Sequence, residues 1–254
     1  MIGKSVNIWL MGGLGNVLFQ INFGRNLRES GYDVCFIDNL VKKNILTKVL
    51  RWKIHNQDYL YLDEDFQSKN LIYAFLAVSI AKFRIGSFSL WLDGIYDVNK
   101  DYAKNLFSYF QNSEGLKSID IKINKADFKS GKNRNVVDEN IVIHRRYTDS
   151  GWQQPSLASI EQKLQNSAVL VCSDSIAGVK HDFIQYNFDY KCREGFLSID
   201  DFLVMANSQT LVCSNSTFAL WAALIGDHDN VYMPRALVKT FPFIKFLKKN
   251  IYEF

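Results

Sequence analysis

The chain has 254 residues, of which 48% are apolar and 22% charged, and its 30 lysines and arginines against 26 acidic residues leave a net charge of +4. That composition is ordinary for a folded globular protein and excludes a disordered, collagen-like or coiled-coil chain. The weak basic bias suits phosphate-bearing ligands and gives no argument for nucleic acid as a partner.

Val6 to Met11 is a short apolar run ending in Gly12-Gly13, which predicts a buried strand feeding a tight turn. From Asn16 to Glu29 the apolar residues Val17, Phe19, Ile21, Phe23 and Leu27 recur at helical spacing, and Gly31 stops the helix. Asp33 to Asp38 predicts a second strand, so the first 38 residues form a βαβ unit. Residues 39–135 are rich in lysine, asparagine and aromatics, with helices expected around 40–52, 69–84 and 100–111. The polar run Asp127 to Asn135 is the expected surface linker, which divides the chain into domains at 1–135 and 136–254.

Beyond it the alternation is regular. Strands are expected at Asn140–His144, Ala168–Cys172, Thr210–Cys213 and Val231–Met233. Helices are expected at Ser156–Gln165, Ile176–Phe183, Asp200–Ala206 and Thr217–Ile225. Such alternation argues for a parallel sheet covered on both faces, and for an α/β protein of two Rossmann-like halves. In that class ligands bind beyond the carboxyl ends of the strands.

Four motifs sit directly after strands. In Gly12-Gly13-Leu14-Gly15-Asn16 the glycines let backbone N–H groups approach a phosphate, and Asn16 can cap the next helix or donate to a phosphate oxygen. A ligand-free glycine turn accounts for it equally well, and the third glycine of a dinucleotide fingerprint would fall at Leu18. In His144-Arg145-Arg146-Tyr147-Thr148-Asp149 an arginine fork can meet a phosphate, and strand alternation turns only one of the two arginines to a given side. In Cys172-Ser173-Asp174-Ser175 the polar groups can accept from a guanine edge or cap a helix. In Ser214-Asn215-Ser216-Thr217 the hydroxyls and backbone N–H groups can form an anion site or a generous helix cap. The four cysteines, Cys35, Cys172, Cys192 and Cys213, have no C-x-x-C spacing and read as reduced structural thiols rather than a zinc or disulfide framework.

Taken together the motifs resemble the α-1,2-fucosyltransferases. Gly12-Gly13-Leu14-Gly15-Asn16-Val17-Leu18-Phe19-Gln20 resembles that family's N-terminal signature, with Val17 in place of a polar residue. His144 to Asp149 is similar to its H-x-R-R-G-D box, with Tyr147 at the second arginine. Ser173-Asp174-Ser175 with Val179-Lys180 is similar to its S-D-D-x-x-x-V-K segment, with Ser175 at the second acid, and Ser214 to Ala223 is close to SNSTFSWWAA. The resemblance spans residues 5–38 and 140–226.

It implies a GT-B architecture, two Rossmann-like domains facing across a cleft, and an inverting transfer of L-fucose from GDP-fucose to a galactose-type hydroxyl of a surface glycan or its precursor. It implies no metal or other cofactor. By residue, it implies that Arg146 stabilises the departing diphosphate, that Asn16 supports the phosphate and fucose end, and that Asp149 completes the set by bracing the arginine loop. Gly13, Gly15, His144, Asp174, Ser175, Ser214, Asn215, Ser216 and Thr217 would bind the donor. Other readings are transfer of a different GDP-sugar, a GDP-sugar-binding protein without activity, and an NAD-dependent oxidoreductase. The expected location is cytoplasmic, since no stretch approaches the roughly 20 apolar residues of a membrane span. The lysine-rich, aromatic tail Val238 to Lys249 is read as a helix packed across the two halves, with contact to a membrane surface as the alternative.

Overall fold

The apolar run at the start forms β1 (Ser5–Trp9), buried at every residue after the first, as a strand inside a parallel sheet must be. Gly12 and Gly13 turn the chain into α1 (Leu14–Glu29), and Gly31, at a φ of 88°, turns it back into β2 (Asp33–Ile37). These belong to a computed structural model that describes residues 4–49, 58–83, 89–91, 104–108, 121–128, 140–147, 156–165, 167–193, 198–241, 244 and 250–254.

The chain divides into two units, one of Met1–Ile123 with Asp127–Lys129, the other of Asn124–Ala126 with Ser130–Phe254. In the first, α2 (Ile45–Val49), β3 (Phe66–Gln67), α3 (Leu71–Phe83), β4 (Ser89–Trp91) and β5 (Asn105–Phe107) follow β2. The sheet order is β3-β2-β1-β5-β4 and every pairing is parallel. One core lies between this sheet and α3, where Ala74, Ala77, Val78 and Ala81 pack on Trp9, Met11, Ile37 and Phe107. Trp9 and Phe107 stack at 5.1 Å between ring centroids.

The second unit holds β6 (Ile141–Arg145), α4 (Glu161–Leu164), β7 (Val169–Ser173), α5 (Ile176–Phe183), β8 (Tyr190–Cys192), α6 (Ser198–Asn207), β9 (Thr210–Val212), α7 (Thr217–Ile225), β10 (Asn230–Met233), α8 (Arg235–Thr240) and β11 (Asn250–Glu253). Its order is β11-β10-β9-β6-β7-β8, again parallel throughout. Read from β8, this is the doubly wound 3-2-1-4-5-6 arrangement, whose order reverses between β6 and β9. Ile143, Val169 and Val171 face Leu157, Val179 and Phe183 on one side. The other side is covered by α6 and α7.

Several expectations need correction. Residues 105–107, expected within a helix over 100–111, form β5 because a short, fully buried segment, Asn105 with Leu106 and Phe107, pairs between β1 and β4. Among the described residues, only Ile45–Val49 of the 40–52 helix and Glu161–Leu164 of the 156–165 helix form, and 50–52 lie outside the described residues. Of the expected linker, Asp127 and Phe128 pack instead: Asp127 holds Arg25 at 2.6 Å, and buried Phe128 bridges Leu62. Residues 129–135 lie outside the described residues. β8 and β11 were not expected at all. In the tail, Val238, Phe241 and Ile244 are buried, while 242–243 and 245–249 lie outside the described residues.

At Gly24 α1 lies close against β2, where an added Cβ would lie 2.5 Å from the Phe36 ring. Gly24→Val should therefore overpack this contact and lower stability by about 1–3 kcal/mol. The expected fall in Tm is on the order of 2–4 °C per kcal/mol for a chain of this size. An unchanged melting curve would show that the contact relaxes freely.

Candidate functional site

The glycine loop follows the carboxyl end of β1, next to β5, where the sheet order of the first unit also changes direction. Gly12 sits at a φ of 80°, a left-handed conformation that favours glycine. Gly13, extended and with no neighbour within 4 Å of a built Cβ, precedes α1 as its N-cap. The expected capping role of Asn16 is thereby corrected: Asn16 is a half-buried residue in the first helical turn, and its N–H donates to the Gly13 carbonyl at 3.0 Å. Gly15, also in that first turn, is buried. Val17 is fully buried in the core, so its lack of a polar group does not alter the loop surface.

What fixes the loop is Gln20, fully buried among apolar neighbours. Its Oε1 accepts from the Met11 N–H at 2.9 Å and its Nε2 donates to the Ser108 carbonyl at 2.8 Å, clipping α1 to the ends of β1 and β5. A second buried network lies below, where Asn105 Oδ1 accepts from Asn7 Nδ2, Trp9 Nε1 and Tyr73 Oη at 3.0, 3.1 and 3.2 Å. The sequence signal for both was a polar amide inside an apolar run.

In the second unit, residues after β6, β7 and β9 gather at the point where the strand order reverses. His144 is buried against the Phe218 ring of α7, at 5.4 Å between centroids, and its Nδ1 shares a 2.7 Å hydrogen bond with Ser214 Oγ. Burial first, and the charge of Arg146 second, draw the imidazole down to about 3, so His144 is neutral at physiological pH. Asp174 pulls the other way, so Arg146 and Asp174 both lie within electrostatic reach of the ring.

The two arginines part company. Arg145 is almost fully buried on the opposite side of β6, with Nε 3.4 Å from Asp182 and its guanidinium 5.5 Å from the Phe183 ring. Tyr147 shares that side: its hydroxyl donates to Asp182 at 3.0 Å, and Gly178 leaves room for its ring. The Tyr147 N–H donates to Asp174 Oδ1 at 2.8 Å, which ties the loops after β6 and β7 together. Arg146 is half-buried beside His144. Asp149 and Thr148 lie outside the described residues.

The hydroxyl motifs serve the fold first. Ser175 caps α5, accepting from the Gly178 N–H at 3.1 Å, and Ser216 caps α7, accepting from the Phe218 N–H at 3.2 Å. Ser214 is buried on His144. Asn215 and Thr217 are half-buried between them.

A parallel sheet whose strand order reverses at β6 and β9, with a strand-end arginine, a neutral histidine and a serine-rich helix start at that point, places the chain among the Rossmann-like α/β proteins. The family model for glycosyl transferase family 11 matches residues 114–253, and the chain belongs to that family. No curated protein and no solved structure gives a significant match. Membership makes the chain a glycosyltransferase and sets aside the oxidoreductase reading.

Two Asp-x-Asp triplets do occur in the sequence, Asp63-Glu64-Asp65 and Asp227-His228-Asp229. Glu64 is engaged by Arg25 and Arg28 at 2.7 Å each, and His228 bonds the Ser208 and Ala222 carbonyls. Among the described residues no three His, Cys, Asp or Glu side chains are grouped to hold a metal, and no helix is long and apolar enough to cross a membrane.

The neutral state of His144 has a pH consequence. An unfolded imidazole takes its proton near 6.5, the folded one only near 3, so unfolding takes up a proton in between. The burial of His144 therefore costs nothing above about pH 6.5 and removes about 1.4 kcal/mol of stability per pH unit below it. His144→Asn, which can still bond Ser214, should flatten this acid slope in thermal melts between about pH 7 and 5. An identical slope in the variant would refute the assignment.

Proposed function

We propose that the protein transfers L-fucose from GDP-fucose, with inversion and without a metal, to a galactose-type hydroxyl of a surface glycan or its precursor, forming an α-1,2 linkage. The GT-B arrangement, with the two units facing across a cleft, is part of this reading. So is a cytoplasmic location.

The observation that carries it is the pairing of Arg146 with neutral His144 at the reversal between β6 and β9. Cleavage of the bond to the sugar leaves a diphosphate through an oxocarbenium-like state, so a fixed positive charge at the leaving oxygens is the main catalytic asset. Arg146 supplies that charge. A protonated His144 beside it would compete for the same anion and repel the arginine; kept neutral, the imidazole instead orients Ser214. The N–H groups at the start of α7, with Asn215 and Thr217, complete the phosphate cradle, and Ser214 and Ser216 hold its shape. Asp174 faces guanine with the oxygen not given to Tyr147, and Ser175 fixes the helix that carries that loop. Gly13, Gly15 and Asn16 supply the other phosphate wall, and Asp149 braces the arginine loop.

Two measurements test this. A thermal-shift screen should show stabilisation by GDP over UDP and NAD, about 2.7 kcal/mol at a hundredfold excess over Kd. Failure of GDP to stabilise would remove the donor assignment, and turnover of GDP-mannose rather than GDP-fucose would shift it to another GDP-sugar. Arg146→Ala should leave the melting temperature nearly unchanged and lower kcat by roughly 10²–10³. Full transfer activity in that variant would dismiss Arg146 from the site, whereas Arg145→Ala should unfold the loop through loss of its buried partner.

A further inference from the structure

We infer that the outer face of α2 and α3 in the first unit seats the protein on an anionic phospholipid surface. α3 is an inverted helix, small inside and large outside. The face of α3 turned to the sheet is made of small residues, Ala74, Ala77 and Ala81 with Val78. Its large apolar residues point outward: Ile72 is 77% exposed, Phe75 49% and Leu76 52%. They recur at the i, i+3, i+4 spacing of a single stripe. Ile45 of α2, 66% exposed, extends the stripe. Together with Leu46 and Leu71 these side chains line an apolar groove of about 340 Å³.

A contiguous outward apolar stripe of this kind marks an interaction surface rather than scattered exposure. The charge around it selects the partner. Residues 39–57 and 66–92 contain eight lysines and arginines and no aspartate or glutamate. The rest of the chain keeps 22 basic residues, the 30 less those eight, against 26 acidic, so it is net negative while these segments are strongly positive. Lys43 and Lys48, both exposed, flank Ile45. Lys42 is held by Asp38, which fixes the start of this segment. Exposed apolar side chains flanked by Lys43 and Lys48 complement the headgroups and acyl boundary of an anionic leaflet.

The geometry suits lying on the bilayer rather than crossing it. α3 has 13 residues, about 20 Å at 1.5 Å per residue, against a hydrocarbon core of roughly 30 Å. The local caps make the platform firm. Asn44 and Thr47 exchange backbone-to-side-chain bonds of 3.0 Å at the start of α2, and Asn70 Oδ1 accepts from the Tyr73 N–H at 2.8 Å at the start of α3. This surface does not rest on the choice of sugar donor.

The test is co-sedimentation of the full chain with phosphatidylcholine vesicles, with and without phosphatidylglycerol, at low and high salt. Binding is expected only with phosphatidylglycerol, weakening as salt rises. Ile72→Ser with Phe75→Ser should abolish it, and Lys43→Glu with Lys48→Glu should reduce it roughly tenfold or more. Because all four side chains are exposed, the melting temperature and GDP-induced stabilisation should be unchanged in both variants. Absence of binding to the anionic vesicles overturns the inference, as does binding that survives both pairs of substitutions. So does a dimer in sedimentation velocity that the serine pair disperses while vesicle binding is absent, since a second copy would then cover the stripe.

Discussion

The second unit is organised around the 2.7 Å hydrogen bond between His144 Nδ1 and Ser214 Oγ. β6 and β9 are neighbours in the sheet, yet the chain winds away from them in opposite directions, so the crevice at their carboxyl ends is where a doubly wound sheet opens. The bond closes the base of that crevice with two uncharged groups, each buried. A neutral pair of this kind contributes only about 0.5–1.5 kcal/mol net, but removing one partner strands the other at a cost of about 1–3 kcal/mol. It also sets parity. With His144 committed to the α7 side, the two-residue period of extended backbone sends Arg145 and Tyr147 to the α5 side and leaves Arg146 with the histidine.

That parity explains why two adjacent arginines behave as different residues. Arg145 meets Asp182 and the face of Phe183, an enclosed setting in which a planar guanidinium stacks and pairs at once. Tyr147 donates to the same carboxylate. The two side chains brace the loop from below, while the proposed donor contacts lie on the other side of the same strand.

Much of this was legible in the sequence, for identifiable reasons. α5 and α7 fall on the expected residues because Ser175 and Ser216 are strong N-caps directly ahead of apolar runs. β1, α1 and β2 were visible from the change of hydrophobic period across Gly12-Gly13. β5 was not, since three buried residues, Asn105, Leu106 and Phe107, are too few to carry a period, and their pairing with β1 lies 98 residues away. The partner of Arg145 was hidden in the same way, because Asp182 sits inside α5 and nothing local marks it. Asn16 was misread as a cap since asparagine favours that position, but an extended Gly13 had already taken it. The α3 face lay within the helix expected around 69–84, with no side of it assigned. That its large residues point outward depends on which side the alanines pack, which sequence period alone does not assign.

The departures from the family motif then acquire a physical meaning. Val17 is core, and a nonpolar residue there costs the glycine loop nothing. Ser175 still caps its helix, which an aspartate could do equally well, so the substitution removes a charge without loosening the loop. Tyr147 stands where the resembled motif has a second arginine, but on the side of β6 that already holds Arg145 and, among the described residues, the one acceptor carboxylate Asp182. A second guanidinium there would bring two buried cations to one acid, whereas a tyrosine hydroxyl donates to it without adding charge. Gly178, whose Cβ would lie 2.7 Å from the tyrosine ring, leaves the space that the aromatic occupies. The substitution thus lies in the bracing of the arginine loop, on the side of β6 opposite His144 and Arg146.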